Sequence, residues 1–281
     1  MGPDNSTHAP PSDPMRLFIN PILQNPFLIW QLAKRDVTSR YRGSMLGMLW
    51  SFGRPLLMLA VYTFVFSVIF EVRWTQMAIE DNRFNFAIIL FAGLIVHGLL
   101  AECLTRAPTL VLENVNYVRK VIFPLESLSY VLLVSALFHT GISFIVLITA
   151  HLVFIGLPPL TILLLPVMIV PLIPLFLGLG WTLAALGVFL RDIGEISAIM
   201  TTILLFLSPI FFPVEQFPEE LRFLLYYNPL TLIIEAVRDV AIFGTQPNWL
   251  ALFLYGAAAT AFAQAGHWLF IKSRRGFSDV L

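Results

Sequence analysis

The sequence predicts an all-α polytopic membrane protein. It has six transmembrane helices, an N-terminal amphipathic interface helix on one membrane face, and two short re-entrant helices at the other. Three observations predict it. Of the 281 residues, 58% are hydrophobic and 12% charged, against roughly 25% charged in soluble domains. Six apolar segments stand out, at 55–70, 86–105, 127–155, 159–189, 193–212 and 249–271, each to be compared with the about 20 apolar residues that a crossing helix needs. The third observation is that the basic residues gather on alternate connections.

Thirteen of the 17 Lys and Arg residues lie on one side of this arrangement: before the first segment, between the second and third, between the fourth and fifth, and after the sixth. Arg73, Arg83, Arg222 and Arg238 fall on the other side, among Glu71, Glu80, Asp81, Glu215, Glu219, Glu220, Glu235 and Asp239. Lys and Arg are retained on the cytoplasmic side of a membrane protein. Both termini are therefore expected in the cytoplasm, which an even number of crossings also requires.

Residues 1–14 are polar and Pro-rich and read as a disordered cytoplasmic tail, with no leader pattern. Residues 15–54 form a cytoplasmic interface segment, and 55–281 the six-span domain. Within the first segment, residues 26–42 predict a helix. Ile29, Ala33, Val37 and Tyr41 repeat every four positions with Trp30 beside them, while Lys34, Arg35, Thr38 and Arg42 fill the opposite face. Asp36 and Arg40 have the i,i+4 spacing of an ion pair. Such a basic helix lies in the membrane interface. It serves either as an anchor for the first span or as a contact for lipid head groups.

Between the second and third spans, Pro108 and Pro124 bracket a second amphipathic stretch. Val111, Val115, Val118 and Ile122 make its apolar stripe; Glu113, Asn114, Asn116, Arg119 and Lys120 make its polar face. A helix at about 110–122 either lies on the membrane or docks into a cytoplasmic partner. Glu102 and Arg106 just before it are spaced for a structural i,i+4 pair. The third and fourth segments exceed bilayer thickness. The fourth is expected to kink at Pro166, Pro171 and Pro174, with Gly178 and Gly180 allowing close helix approach.

The connection 213–248 is not loop-like. Pro218, Glu219 and Glu220 mark a helix start, expected to run to Tyr227. Asn228-Pro229 breaks it, and a second helix follows to Phe243 with Gly244 as its stop. Ile233, Ile234, Val237, Val240 and Ala241 form that helix's apolar face, opposite Glu235, Arg238 and Asp239. Both are too short to span. They read as a re-entrant pair or as an extracellular helical hairpin, at about 218–243.

On the first span Tyr62, Phe66 and Phe70 share one face, either for packing or as a wall along which sugar rings slide. No G-x-x-x-x-G-K-[ST] is present: Gly93 and Gly98 have the glycine spacing but are followed by Leu99-Leu100. ATP binding by this chain is not expected. Cys103 is a single cysteine, the five His are scattered, and there is no H-E-x-x-H or G-x-S-x-G. No metal, cofactor or catalytic residue is expected.

Six segments carry a resemblance when read in order. They are Arg35-Asp36 through Arg40-Tyr41-Arg42-Gly43-Ser44-Met45-Leu46-Gly47-Met48-Leu49-Trp50; Asn114 through Arg119-Lys120-Val121-Ile122-Phe123-Pro124-Leu125-Glu126; Phe189-Leu190-Arg191-Asp192; Ser208-Pro209-Ile210-Phe211; Tyr227-Asn228-Pro229-Leu230; and Arg275-Gly276-Phe277-Ser278-Asp279-Val280-Leu281. Together they resemble the permease subunit of type-2 ABC polysaccharide exporters, the O-antigen, capsule and teichoic-acid group. The resemblance implies a channel-forming homodimer in the bacterial inner membrane, with two cytoplasmic ATP-binding cassette subunits that carry the ATP and Mg. It implies a polyprenyl-diphosphate-linked glycan as substrate, with O-antigen lipopolysaccharide foremost, and no nucleic-acid partner.

The same resemblance implies residue roles. Val111, Glu113, Asn114, Val115, Val118, Arg119 and Lys120 would couple to the ATPase. Trp30, Lys34, Arg35, Arg40, Tyr41 and Arg42 would form the interface helix, in contact with membrane lipids. Tyr62, Phe66 and Phe70, with Thr201, Leu205 and Ser208, would line the channel. Pro218, Tyr227, Asn228, Pro229, Glu235 and Arg238 would form the outer gate. The alternatives are a stand-alone proton-coupled glycolipid flippase and a non-enzymatic envelope scaffold. An ATPase that co-purifies with the chain would separate the exporter from both.

Overall fold

The computed structural model describes residues 18–65, 84–118 and 123–281. The N-terminal tail, the connection carrying Glu71, Glu80 and Asp81, the aromatics Phe66 and Phe70, and Arg119 and Lys120 lie outside the described residues. Every regular element among the described residues is helical. The order begins α1 (Asn20–Gln24), α2 (Pro26–Arg40), α3 (Trp50–Tyr62), α4 (Phe84–Arg106), α5 (Val115–Val118) and α6 (Ser127–Phe154). It continues with α7 (Leu165–Ile169), α8 (Leu172–Phe189), α9 (Ile193–Phe206), α10 (Arg222–Tyr227), α11 (Thr231–Arg238), α12 (Trp249–Ser273) and α13 (Phe277–Val280).

Among the described residues, five helical stretches are long and apolar enough to cross a membrane: Gly47–Val65, Asn85–Arg106, Ser127–Phe154, Leu160–Phe189 and Trp249–Gly276. The chain is a multi-pass membrane protein. The segment expected at 193–212 differs, because its helix α9 has 14 residues and stops at Phe206. At 1.5 Å per residue that is about 21 Å, short of the ~30 Å hydrocarbon core. Pro209 is the reason. It disfavours helical backbone at Ser208, and the chain continues without helix to Pro213.

The first span also differs from its expected bounds. Its helix starts at Trp50 after a 3₁₀ turn at Gly47–Leu49, so Arg54 and Pro55 lie inside it. A proline this near the start removes a single backbone bond, and an arginine one turn in can extend its head toward water. The fourth segment is broken where the prolines predict. A 3₁₀ stretch at Leu160–Leu164 leads into α7, and α8 restarts after Val170-Pro171.

α4 is the central helix, with 78% of its apolar window buried against 11% for the first span. α6, α9 and α11 pack around it. The closest helix pair is α8 with α12. A Cβ on Gly266 would stand 2.6 Å from the Gly178 carbonyl oxygen, and one on Gly178 2.6 Å from the Phe262 ring. Only glycine permits that approach. One end of the bundle, here the basic end, carries α2 and the C-terminal turn. There Arg274 pairs with Glu126 at 3.1 Å and donates to the Phe123 carbonyl, while Phe277 is buried beside Phe189 and Phe270.

Candidate functional site

At the basic end, α2 follows its four-residue repeat. Ile29, Ala33, Val37 and Tyr41 are buried, with the helix packed on α6, while Trp30 stays 60% exposed. The apolar stripe therefore covers protein, and Trp30 and Phe27 are left facing outward. Lys34, Arg35 and Arg42 are exposed.

The polar edge of α2 joins a five-residue charge cluster with α4 and α6. Arg40 reaches Glu102 at 2.5 Å and Asp36 at 3.3 Å. Arg106 reaches Asp36 at 2.8 Å and Glu102 at 3.3 Å. His139 Nδ1 lies 3.2 Å from Glu102. Each carboxylate thus meets both arginines. The i,i+4 spacings predict two of these contacts; the cross-links between helices 70 residues apart need the fold. Burial of the Tyr41 phenol raises its pKa, and the positive charge of Arg54 opposes that rise most among its neighbours.

Beside this cluster a cleft of about 390 Å³ opens on one side between α2, α3, α4 and α6. Arg40, Tyr41, Ser51, Arg54, Glu102 and His139 form its polar lining; Met58, Tyr62, Phe91, Leu94, Ile95 and Leu99 form its apolar wall. Tyr62 belongs to this cleft; its partners in the aromatic stripe, Phe66 and Phe70, lie outside the described residues.

The connection after α4 is compact. Ala107 and Val111 are fully buried in the chain's own core, so Val111 has no surface to offer a partner. Pro108 rests on α8, where a Cβ on Gly187 would lie 2.1 Å from its carbonyl oxygen. Asn114 Nδ2 donates to the Leu110 carbonyl at 2.8 Å, and Thr109 donates to Glu113 at 2.8 Å. A 3₁₀ turn at Leu112–Asn114 and α5 follow; Glu113 and Asn116 are exposed and Val115 is half-buried. The described helical part ends at Val118, whose side chain is outside the description, and Tyr117 stacks on Phe123 at 4.3 Å. A smaller cleft of about 240 Å³, lined by Arg35, Asp36, Arg106, Glu113 and Asn114, lies between this connection and α2.

At the opposite end, Pro218 starts a 3₁₀ turn at Glu219–Leu221 that leads into α10. Tyr227 is exposed, and Asn228 with Pro229 separates α10 from α11. α11 buries Ile233, Ile234 and Val237, continues as a π turn through Val240 and Ala241, and ends at Gly244 with φ +69°. Glu235 lies on its exposed side.

Arg238 points inward instead. It is 3% exposed. Its Nε donates to the Ile89 carbonyl at 3.1 Å, Nη1 to Pro209 at 2.5 Å and Nη2 to Ile210 at 2.9 Å. Asn228 Nδ2 donates to the Leu207 carbonyl and to Ser208 Oγ, each at 2.8 Å. These side chains satisfy the backbone that Pro209 expels from helix. In a membrane, non-helical backbone persists only where protein partners satisfy it. Burial lowers the Arg238 pKa to about 10, so the side chain stays charged at neutral pH.

The remaining channel candidates are placed by these contacts. Thr201 is half-buried, and its carbonyl accepts from His97 Nε2 at 3.0 Å. Leu205 is half-buried. Ser208 is buried beneath Asn228, donating at 2.5 Å to the Leu204 carbonyl. Sequence reasoning missed Arg54 as a cleft residue because it closed the interface segment there. The available signal was its position one turn after Trp50.

The sequence profile of the ABC-2 type transporter family matches residues 27–242, from the interface helix through the outer helices. The chain is also similar, over most of its length, to three permeases. One is the O-antigen export system permease protein RfbA of Klebsiella pneumoniae, 25% identical over 259 residues, covering 90% of this chain and 95% of that protein. The RfbA permease of Myxococcus xanthus is 24% identical over 256 residues with the same coverage. A second Klebsiella pneumoniae RfbA is 22% identical over 259 residues. A helical multi-pass bundle matched by that profile from α2 to α11 is a membrane transport subunit without a catalytic domain, which implies a separate ATP-binding partner; this chain belongs to the ABC-2 type transporter family.

Proposed function

We propose that this chain is the channel-forming subunit of an ATP-driven exporter that moves a polyprenyl-diphosphate-linked polysaccharide, most specifically O-antigen, across the bacterial inner membrane. The observation that carries this reading is similarity to O-antigen export permeases over 95% of their length. In this reading two copies form the channel and two ATPase subunits bind the basic end, supplying ATP and Mg. The basic end faces the cytoplasm, consistent with its share of Lys and Arg. α9 with the stapled stretch to Phe212 completes a sixth crossing.

The roles of the elements follow from this arrangement. α2 and the cleft beside it receive substrate from the cytoplasmic leaflet. The exposed residues of the connection after α4, Glu113 and Asn116, meet the ATPase. The paired helices α10 and α11 close the outer end. The test is surface glycan in a deletion strain, together with co-purification of an ATP-binding subunit. Unchanged surface polysaccharide in the deletion strain would overturn the substrate class. Transport by the purified chain without an ATPase would overturn the mechanism.

A further inference from the structure

The C-terminal turn folds back onto the bundle. α12 ends at Ser273, a 3₁₀ turn covers Arg274–Gly276, and α13 follows. Phe277 is fully buried, its ring 5.6 Å from Phe270 on α12 and 5.9 Å from Phe189 at the end of α8. This packing anchors the turn and fixes the direction of Arg274. Arg274 Nη1 donates to Glu126 Oε2 and Nη2 to the Phe123 carbonyl, each at 3.1 Å. The two donors of one guanidinium thus hold both ends of Phe123-Pro124-Leu125-Glu126. From α8, Trp181 Nε1 donates to the Glu126 carbonyl at 3.0 Å, and Trp181 is fully buried. α8 and α12 therefore grip the same short stretch, where the connection after α4 enters α6.

The grip passes on to the surface part of that connection through an aromatic contact. The Phe123 ring stacks on Tyr117 of α5, with centroids 4.3 Å apart and planes 12° from parallel. α5 has four residues, against about 12 that an isolated helix needs in water. Its place is therefore set by what it packs on. Tyr117 adjoins Asn116, which is exposed. The bonds on the upstream side, from Asn114 to the Leu110 carbonyl and from Thr109 to Glu113, are local to the connection. The restraint from distant helices enters through Phe123.

We propose that Arg274 is a positioning residue. Through Phe123 and Tyr117 the C-terminal turn clamps α5, and so sets Asn116 and its neighbours for the ATP-binding subunit. The clamp is read from these contacts. Its part in coupling rests on the proposed docking of the ATPase at this connection.

The experiment has two arms, both on the full-length protein. The first is hydrogen exchange of the purified chain in nanodiscs, followed over residues 112–118 with the middles of α6 and α12 as internal references. Arg274→Gln should speed exchange over 112–118 by roughly tenfold and leave the references unchanged. Arg274→Lys should restore part, since one ammonium keeps the charge and loses the fork. Phe123→Leu leaves Arg274 and Glu126 paired and removes the stack on Tyr117; it should loosen the same residues, which covers a failure of the Arg274 variants to fold. Arg275→Gln, at the exposed neighbouring position, should change nothing. The second arm measures co-purification of the ATP-binding subunit, expected to fall in Arg274→Gln and Phe123→Leu and to recover in part in Arg274→Lys. Unchanged exchange over 112–118 in both Arg274→Gln and Phe123→Leu, or a rise shared equally by the references, overturns the clamp. Faster exchange over 112–118 with co-purification intact overturns its part in coupling, and with it the docking of the ATPase at this connection.

Discussion

Arg106 Nη2 donates to Asp36 Oδ1 at 2.8 Å, joining the end of α4 to the middle of the interface helix across 70 residues of sequence. α4 is the most enclosed apolar span and leads directly into the connection proposed to meet the ATPase. The contact therefore gives that connection a direct mechanical link to α2, made by side chains and not by packing alone.

The first prediction is a charge exchange at that contact. Asp36→Arg and Arg106→Asp each leave like charges together and should reduce export and loosen α2. The double exchange should recover much of the loss, with a coupling of about 0.5–3 kcal/mol in a double-mutant cycle of thermal stability. Strict additivity of the two single effects would show that the link is incidental.

A second prediction concerns Arg238. Arg238→Met keeps much of the volume but strands the carbonyls of Pro209 and Ile210, which lie outside helix, while Ile89 keeps its intrahelical bond within α4. Each unsatisfied buried carbonyl costs about 1–3 kcal/mol, so a clear fall in melting temperature is expected in detergent. Arg238→Lys should fall nearly as far, because one ammonium cannot span two elements in that fork geometry. Melting temperatures matching the unmodified protein would mean that the stretch after α9 holds its shape without the staple.

The glycines of α8 and α12 allow a paired contrast. Gly266→Ala places a methyl 2.6 Å from the Gly178 carbonyl oxygen and should reduce folded yield sharply. Gly256→Ala, on the same helix, meets Pro171 at an ordinary 3.8 Å and should be tolerated or slightly stabilising. Size-exclusion profiles of the two variants decide it; equal profiles would mean that α8 and α12 are not held this closely.

The connection after α4 is tested by Val115→Asp combined with Asn116→Arg. Both positions reach the surface, unlike Val111. Insertion and yield should be retained while co-purification of the ATP-binding subunit is lost. Intact co-purification and export would leave this turn as an ordinary surface connection.

Orientation is checked by cysteine labelling in sealed cells, with Cys103, which is buried, replaced by Ser. A probe added outside should reach position 219 but not position 38, both exposed. External labelling at 38 would reverse the assignment of the basic end.

The sequence alone determined the class of this protein and the positions of most helices. Apolar length, alternating charge and proline placement act locally, through solvation and backbone geometry, so they can be read without a fold. The repeat Ile29, Ala33, Val37, Tyr41 marked the buried face of α2, and Gly244 marked the end of the outer helix for the same reason. What covers a face is a separate matter, decided by distant residues. Periodicity could not say that the apolar side of α2 lies on α6, that Arg238 turns inward to three carbonyls, or that Val111 faces the core. Nor could it say that α9 stops at Phe206 and that Asn228 and Arg238 take over its backbone bonds. Those arrangements depend on which helices meet, and the low dielectric between them makes each buried polar group find a partner only the tertiary structure can supply. Arg54 shows the same division: its charge is written in the sequence, and its place in the cleft lining is decided by the fold.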